Sequence, residues 1–116
     1  MEFEYNISEQ KGAYIVALSG NLMDKNQANS LMDEIDGIIV NGARNFIIDL
    51  NNFHYMNSSG LNVLIHILTK ARKNGGEAVI CSMSDKMKQL LVITKLISVF
   101  TIADNQAAAF EHFSKN

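Results

Sequence analysis

The sequence predicts an α/β fold with a mostly parallel central sheet, an N-terminal strand pair and about four helices. Three observations carry that expectation. The hydrophobic period switches repeatedly between two and three-to-four residues, short apolar runs recur between the helical stretches, and glycines or small polar residues stand at nearly every switch. A strand pair followed by strand–helix alternation requires right-handed crossovers, hence strands that run the same way. The chain has 116 residues, 47% of them hydrophobic, enough for one domain over 1–116 and too few for two.

In chain order, "FEYNIS" (3–8) and "AYIVALSG" (13–20) read as strands separated by the turn-forming "EQKG". From Lys25 the spacing changes. Ala28, Leu31, Met32, Ile35, Ile38 and Ile39 form one apolar stripe of a helix whose other face carries Asn29, Asp33 and Asp36. Gly42 in "NGAR" offers a left-handed cap at its end. "FIIDL" is almost continuously apolar, as expected of a strand covered on both faces, and a helix begins near Ser58. "KNGG" then turns the chain and "EAVICSM" is a second buried strand. Ser84 and Asp85 supply an N-cap and an acidic first turn for "KMKQLLVITK", on which Met87, Leu90, Leu91 and Thr94 share a side. "ISVFTIA" is expected as the last strand, and Asp104 or Asn105 caps a closing helix that packs Ala107, Phe110 and Phe113.

Composition narrows the function. Charged residues are 19% and the formal net charge is −2, so the basic stripe needed to neutralise nucleic-acid phosphates is missing. No nucleic-acid partner is expected. The single cysteine, Cys81, sits in an apolar run and reads as a small buried hydrophobe, in keeping with a reducing cytoplasm. The start "MEFEYNIS" has neither a basic region nor a long apolar core, and no run reaches the eighteen or so apolar residues of a spanning helix. The expectation is a cytoplasmic protein, monomeric, without direct membrane insertion. Proline is absent, which removes the usual stiff linkers, and no internal repeat is evident.

Residues able to do chemistry are sparse. His54, His66 and His112 fall on a loop and two helices without the spacing of metal ligands, and one cysteine cannot complete a set. No metal and no cofactor are expected. Ser58 with His54 lacks a nucleophile-elbow motif and an acid, so no catalytic residues are assigned. "NGARN" and "KNGG" lack the spacing, lysine and hydroxyl of a phosphate loop. Met83 and Met87, beside Lys86 and Lys88, offer an adaptable binding surface, although core filling is the commoner fate of methionine.

"MNSSGLNVLI" (56–65) stands apart, because two serines and a glycine precede a strongly apolar helix. A helix N-terminus exposes unpaired N–H groups and the positive end of the macrodipole, so a phosphate on Ser58 is tolerated there. Gly60, lacking Cβ, leaves the neighbouring backbone open to a partner. The plainer reading is an N-cap, for which Asn57, Ser58 and Ser59 are three candidates.

"FIIDLNNFHYMNSSGLNVLI", with "LSGNL" before it and "NGGEAVICSMSDKMKQLL" after it, resembles the STAS-domain family of anti-sigma-factor antagonists in order and spacing over nearly the whole chain. The resemblance implies a single STAS domain whose regulatory serine falls on Ser58, with Ser59, Gly60 and Leu61 completing the motif. It also implies a binding module rather than an enzyme. The unmodified form would bind an anti-sigma factor that is also a serine kinase, and a metal-dependent serine phosphatase would reset the switch. The implied contact face comprises Asp24, Tyr55, Met56, Asn57, Ser58, Ser59, Gly60 and Asn62. Two departures stand out: Asn57 replaces the family's usual Asp, and the acidic residue of the "GNLMDKNQA" stretch arrives one place late, as Asp24. The uncharged Asn57 favours the alternative, an unmodified STAS adaptor of a membrane transport complex or signalling scaffold.

Overall fold

The computed structural model describes residues 2–114. Among them the order is β1 (Glu4–Gln10), β2 (Ala13–Leu22), a 3-10 turn (Lys25–Ala28), α1 (Asn29–Val40), β3 (Asn45–Met56), α2 (Ser58–Lys73), β4 (Glu77–Cys81), α3 (Asp85–Ile93), β5 (Thr101–Ala103) and α4 (Gln106–Ser114). The sheet runs β1-β2-β3-β4-β5, with β1 antiparallel to β2 and every later pair parallel. This is the predicted α/β architecture.

Residue parity divides the core. Val16, Leu18, Phe46, Ile48, Leu50, Ala78 and Ile80 face α1, α2 and α3, whereas Ile15, Ile47, Val79 and Cys81 face Ala109, Phe110 and Phe113 of α4. Both faces of β3 and β4 are therefore dry, which is why their sequences read as continuous apolar runs. Polar ties hold the helices at their edges. Tyr5 donates to Glu34 at 2.8 Å, Lys70 of α2 pairs with Asp36 of α1 at 2.6 Å, and Gln106 donates to Asp49 at 2.6 Å. The first two are exposed and add little to stability, and the part-buried third orients α4 on the sheet.

β3 departs from the sequence reading in a way that builds the site. The sequence places His54 on a loop between "FIIDL" and the helix near Ser58, whereas "NNFHYM" is strand to its end, which places His54 on β3. Opposite β2 the register advances from Ala17↔Asp49 to Ser19↔Asn52, and from Gly20↔Phe53 to Asn21↔Tyr55, so β3 carries one extra residue at each of two bulges. Each bulge converts the burial period from two to three. Leu50, Phe53 and Met56 all point into the core, while Asn51, Asn52, His54 and Tyr55 face out. Paired polar residues hid a strand that alternation could not reveal.

Three smaller corrections follow from local geometry. β4 stops at Cys81 because Ser82 turns to φ +59°, and Met83 drops into the core with Met87 rather than forming a surface. "ISVFTIA" yields only a three-residue strand. The N–H groups of Leu96 and Ile97 donate back to the Leu91 carbonyl, with Lys95 at φ +62°, and the apolar character of the segment is used by Phe100 in the core. On α4, Asn105 is the cap, its Oδ1 accepting the Ala108 N–H at 2.9 Å; Ala109 is buried and Ala107 exposed. The remaining caps match the expectation. Ser84 accepts the Met87 N–H, and Gly42 takes φ +106° after α1.

Cys81 is fully buried, and burial pushes its thiol from 9.0 up to about 11, with Asp49 reinforcing the shift and a hydrogen bond to Ser82 opposing it. The folded chain therefore keeps a proton that the unfolded chain gives up between about pH 9 and 11. Stability falls as pH rises through that window. Denaturant unfolding of the wild type and Cys81→Ala, measured from pH 8 to about 11, is expected to show a steeper alkaline loss in the wild type. Parallel curves would remove the thiol from that account.

Candidate functional site

α2 begins where β3 ends, across a junction of one residue. Asn57 keeps an extended backbone and its Oδ1 accepts the Gly60 N–H at 3.1 Å, capping α2. Of the three candidate caps Asn57 takes the role, which makes Ser58 the first helical residue. The Ser58 side chain is exposed, and its hydroxyl has no hydrogen bond among the described residues. The N–H groups of Ser58 and Ser59 find no acceptor there either. A free hydroxyl thus stands over two unpaired donors, at the positive end of a 16-residue helix.

The same Asn57 reaches back to the end of β2. Its Nδ2 donates to the Met23 carbonyl at 2.8 Å, bringing the Asp24 segment beside the start of α2. Asp24 is itself a cap. Its Oδ1 accepts the Asn26 N–H at 2.9 Å, while Gln27 Oε1 accepts the N–H groups of Met23 and Asp24 at 2.8 and 3.0 Å. That reciprocal box shapes the segment, and Asp24 remains exposed.

The predicted contact residues separate by depth. Asp24, Tyr55, Ser58, Ser59 and Asn62 are exposed and Asn57 is half-buried, but Met56 is 1% exposed and Gly60 is buried. Met56 and Gly60 therefore support the face from beneath. A Cβ on Gly60 would lie 2.3 Å from the Leu22 carbonyl oxygen and 2.8 Å from Met56 Cβ. The glycine exists for close packing of α2 on β2 and β3, not for access by a partner.

Two grooves flank this face. One, of about 330 Å³, lies between α1 and α2 and is lined by Lys25, Asn29, Met32, Ser59, Asn62 and His66. The other, of about 220 Å³, lies between the end of β3 and α3, with Tyr55, Lys86, Leu90 and Ile93 in its walls. Lys86 Nζ sits 5.9 Å from the centre of the Tyr55 ring, holding the ring by cation–π attraction. His54 and His66 are both exposed, and no group of three His, Cys, Asp or Glu side chains converges among the described residues. Sequence reasoning missed Met23, 44% exposed beside Asp24, and Gln27. The Asp24-x-x-Gln27 spacing was the available signal, since a capping box needs an acceptor at each end.

Residues 4–109 match the STAS domain family. BtrV of Bordetella bronchiseptica, by name an anti-sigma factor antagonist, is 28% identical over 102 residues, covering 88% of this chain and 87% of that protein. The anti-sigma F factor antagonist of Paenibacillus polymyxa is 27% identical over 110 residues, covering 94% and 93%. Among solved structures, the anti-sigma factor antagonist SpoIIAA in its unphosphorylated form superposes with a TM-score of 0.74 at 15% identity, over 96% of this chain and 98% of that one. Its phosphorylated form gives 0.72 at 16% identity, over 93% and 98%.

The packing of Gly60 generates a test by contrast. Gly60→Ala forces a methyl into backbone that cannot yield, and a loss of about 1 to 3 kcal/mol is expected. Gly37 lies in α1 with nothing within 4 Å of its would-be Cβ. Gly37→Ala is expected to gain up to about 1 kcal/mol from helix propensity. Denaturant melts of both variants check the pair; equal effects would refute the tight fit at Gly60.

Proposed function

The chain belongs to the STAS domain family, and from that membership we propose that it is an anti-sigma-factor antagonist switched by phosphorylation of Ser58. In its unmodified form it binds an anti-sigma factor that is also a serine kinase, and so releases a sigma factor. The kinase then modifies Ser58, and a serine phosphatase restores the binding form. The protein acts in this cycle as ligand and substrate, without catalysis of its own.

One observation carries the reading: Asn57 caps α2, so the Ser58 hydroxyl is left exposed and unengaged at the helix N-terminus. A serine needed for capping would resist modification, whereas this one can accept a phosphoryl group without loss to the fold. The phosphate would add about −1.5 to −2 charges near the two open N–H groups, which stabilise it locally. The same charge, placed in the middle of a docking face, opposes a carboxylate or an apolar surface of the partner. One unit-charge repulsion at 4 Å amounts to about 4 kcal/mol at an effective dielectric of 20. Because about 1.4 kcal/mol is tenfold in affinity, a fraction of that suffices for release. The switch requires no refolding.

The docking face in this reading comprises Asp24, Tyr55, Asn57, Ser58, Ser59 and Asn62, with Met23 and Tyr55 as apolar anchors. Met56 and Gly60 set the height of that face from below.

Affinity capture from host lysate with paired Ser58→Ala and Ser58→Glu baits tests the proposal. Ser58→Ala is expected to change stability by less than about 0.5 kcal/mol, since the residue is exposed and is not the cap. It should retain an ATP-binding, kinase-like protein that Ser58→Glu does not. The same partners on both baits, transporter subunits among them, would instead make the chain a constitutive adaptor.

A further inference from the structure

The Asn57 side chain makes two hydrogen bonds of opposite sense. Its Oδ1 accepts from Gly60 N–H at 3.1 Å and its Nδ2 donates to the Met23 carbonyl at 2.8 Å. The chemistry of the two partners fixes the orientation of the amide. A backbone N–H can only donate and a carbonyl can only accept, so the oxygen must face Gly60 and the NH₂ must face Met23. The Asn57 backbone adds a third tie, its N–H donating to the Leu22 carbonyl at 3.4 Å. We propose that Asn57 is a positioning residue, an amide clamp that holds the Met23–Gln27 segment in register with the helix bearing Ser58.

Apolar packing seats the far end of the segment, where Ala28 is fully buried in the main core, while Met23 and Asp24 are exposed. Its own bonds are internal: Gln27 accepts from Met23 and Asp24, and Asp24 accepts from Asn26. These hydrogen bonds shape the turn, and none of them reaches α2. Gln27 Nε2 reaches only the Asn21 carbonyl, at 3.4 Å, on the strand that leads into the same segment. Among the described residues Asn57 is therefore the side chain whose hydrogen bonds join the exposed Met23–Asp24 end of the segment to the helix start bearing the exposed Ser58.

A carboxylate at this position cannot do the same. It would still accept from Gly60 N–H and cap α2 equally well, but it has no proton for Met23 and would set a negative oxygen against a carbonyl oxygen. Asn in place of Asp thus exchanges a charge beside the serine for a fixed relation between two parts of one face. The clamp stands on geometry alone; its effect on partner affinity rests on the proposed function.

Asn57→Asp and Asn57→Ala separate the two bonds of the clamp. By NMR on the full chain at neutral pH, Asn57→Asp is expected to leave the Gly60 and Leu61 amides as in the wild type. The amides of Met23, Asp24 and Gln27 should shift and exchange with solvent at least about tenfold faster, as loss of one hydrogen bond of about 1.4 kcal/mol implies. Asn57→Ala should disturb both groups of amides. If Met23, Asp24 and Gln27 behave in Asn57→Asp as they do in the wild type, the clamp is overturned. Should the switch reading fail instead, the serine baits would retain the same partners while these amide shifts persist, so the two failures are distinguishable.

Discussion

The approach of Gly60 to the Leu22 carbonyl holds the functional end of this molecule together. At that point the end of β2, the end of β3 and the start of α2 meet within the space a single methyl group would need. The helix axis is set close to the sheet, Asn57 is brought within reach of both Gly60 and Met23, and Ser58 is lifted to the first exposed turn. The gain is packing of Leu61, Leu64 and Leu68 into the main core, each nearly fully buried. A small residue at the crossing is the condition for that packing, so the glycine of the serine motif is first a folding residue.

The bulges in β3 solve a related problem at the same end. An ordinary strand reaching from Asn45 to Met56 would alternate its side chains, exposing some of the apolar set and burying polar ones. Two extra residues let Leu50, Phe53 and Met56 all face the core while Asn51, Asn52, His54 and Tyr55 stay in water. The strand thereby stays paired as far as Met56, opposite Leu22, and delivers Asn57 and Ser58 at the carboxyl end of the sheet. A surface of polar and aromatic side chains results, backed by a strand rather than a loop, which suits the proposed docking face.

Within that face the roles of three adjacent polar residues divide cleanly. Asn57 caps and clamps, Ser58 is left without a structural task, and Ser59 lines the groove toward α1. An uncharged cap adds no negative charge to the positive helix end, so in the proposed switch a phosphate on Ser58 would meet two open donors and no carboxylate at position 57.

Much of this was legible in one dimension. The apolar runs at Phe46–Leu50 and Glu77–Cys81, the stripe of α1, the Ser84 cap and the Gly42 terminus each depend on short-range pattern, and local pattern is what determines a helix stripe or a strand buried on both faces. The motif around Ser58 was likewise readable, because its residues are contiguous. Tertiary structure decided the rest. Which of Asn57, Ser58 and Ser59 caps α2 depends on where β3 releases the chain; what Gly60 is for depends on Leu22, a residue 38 positions earlier. The length of β3 depends on bulges defined only by its pairing with β2, and the Asp24 segment is tied to the start of α2 by the bond from Asn57 to the Met23 carbonyl. Periodicity and capping preferences come from the chain's own backbone and are carried by neighbours in sequence, whereas close approach and register arise between segments that meet only after the sheet has formed.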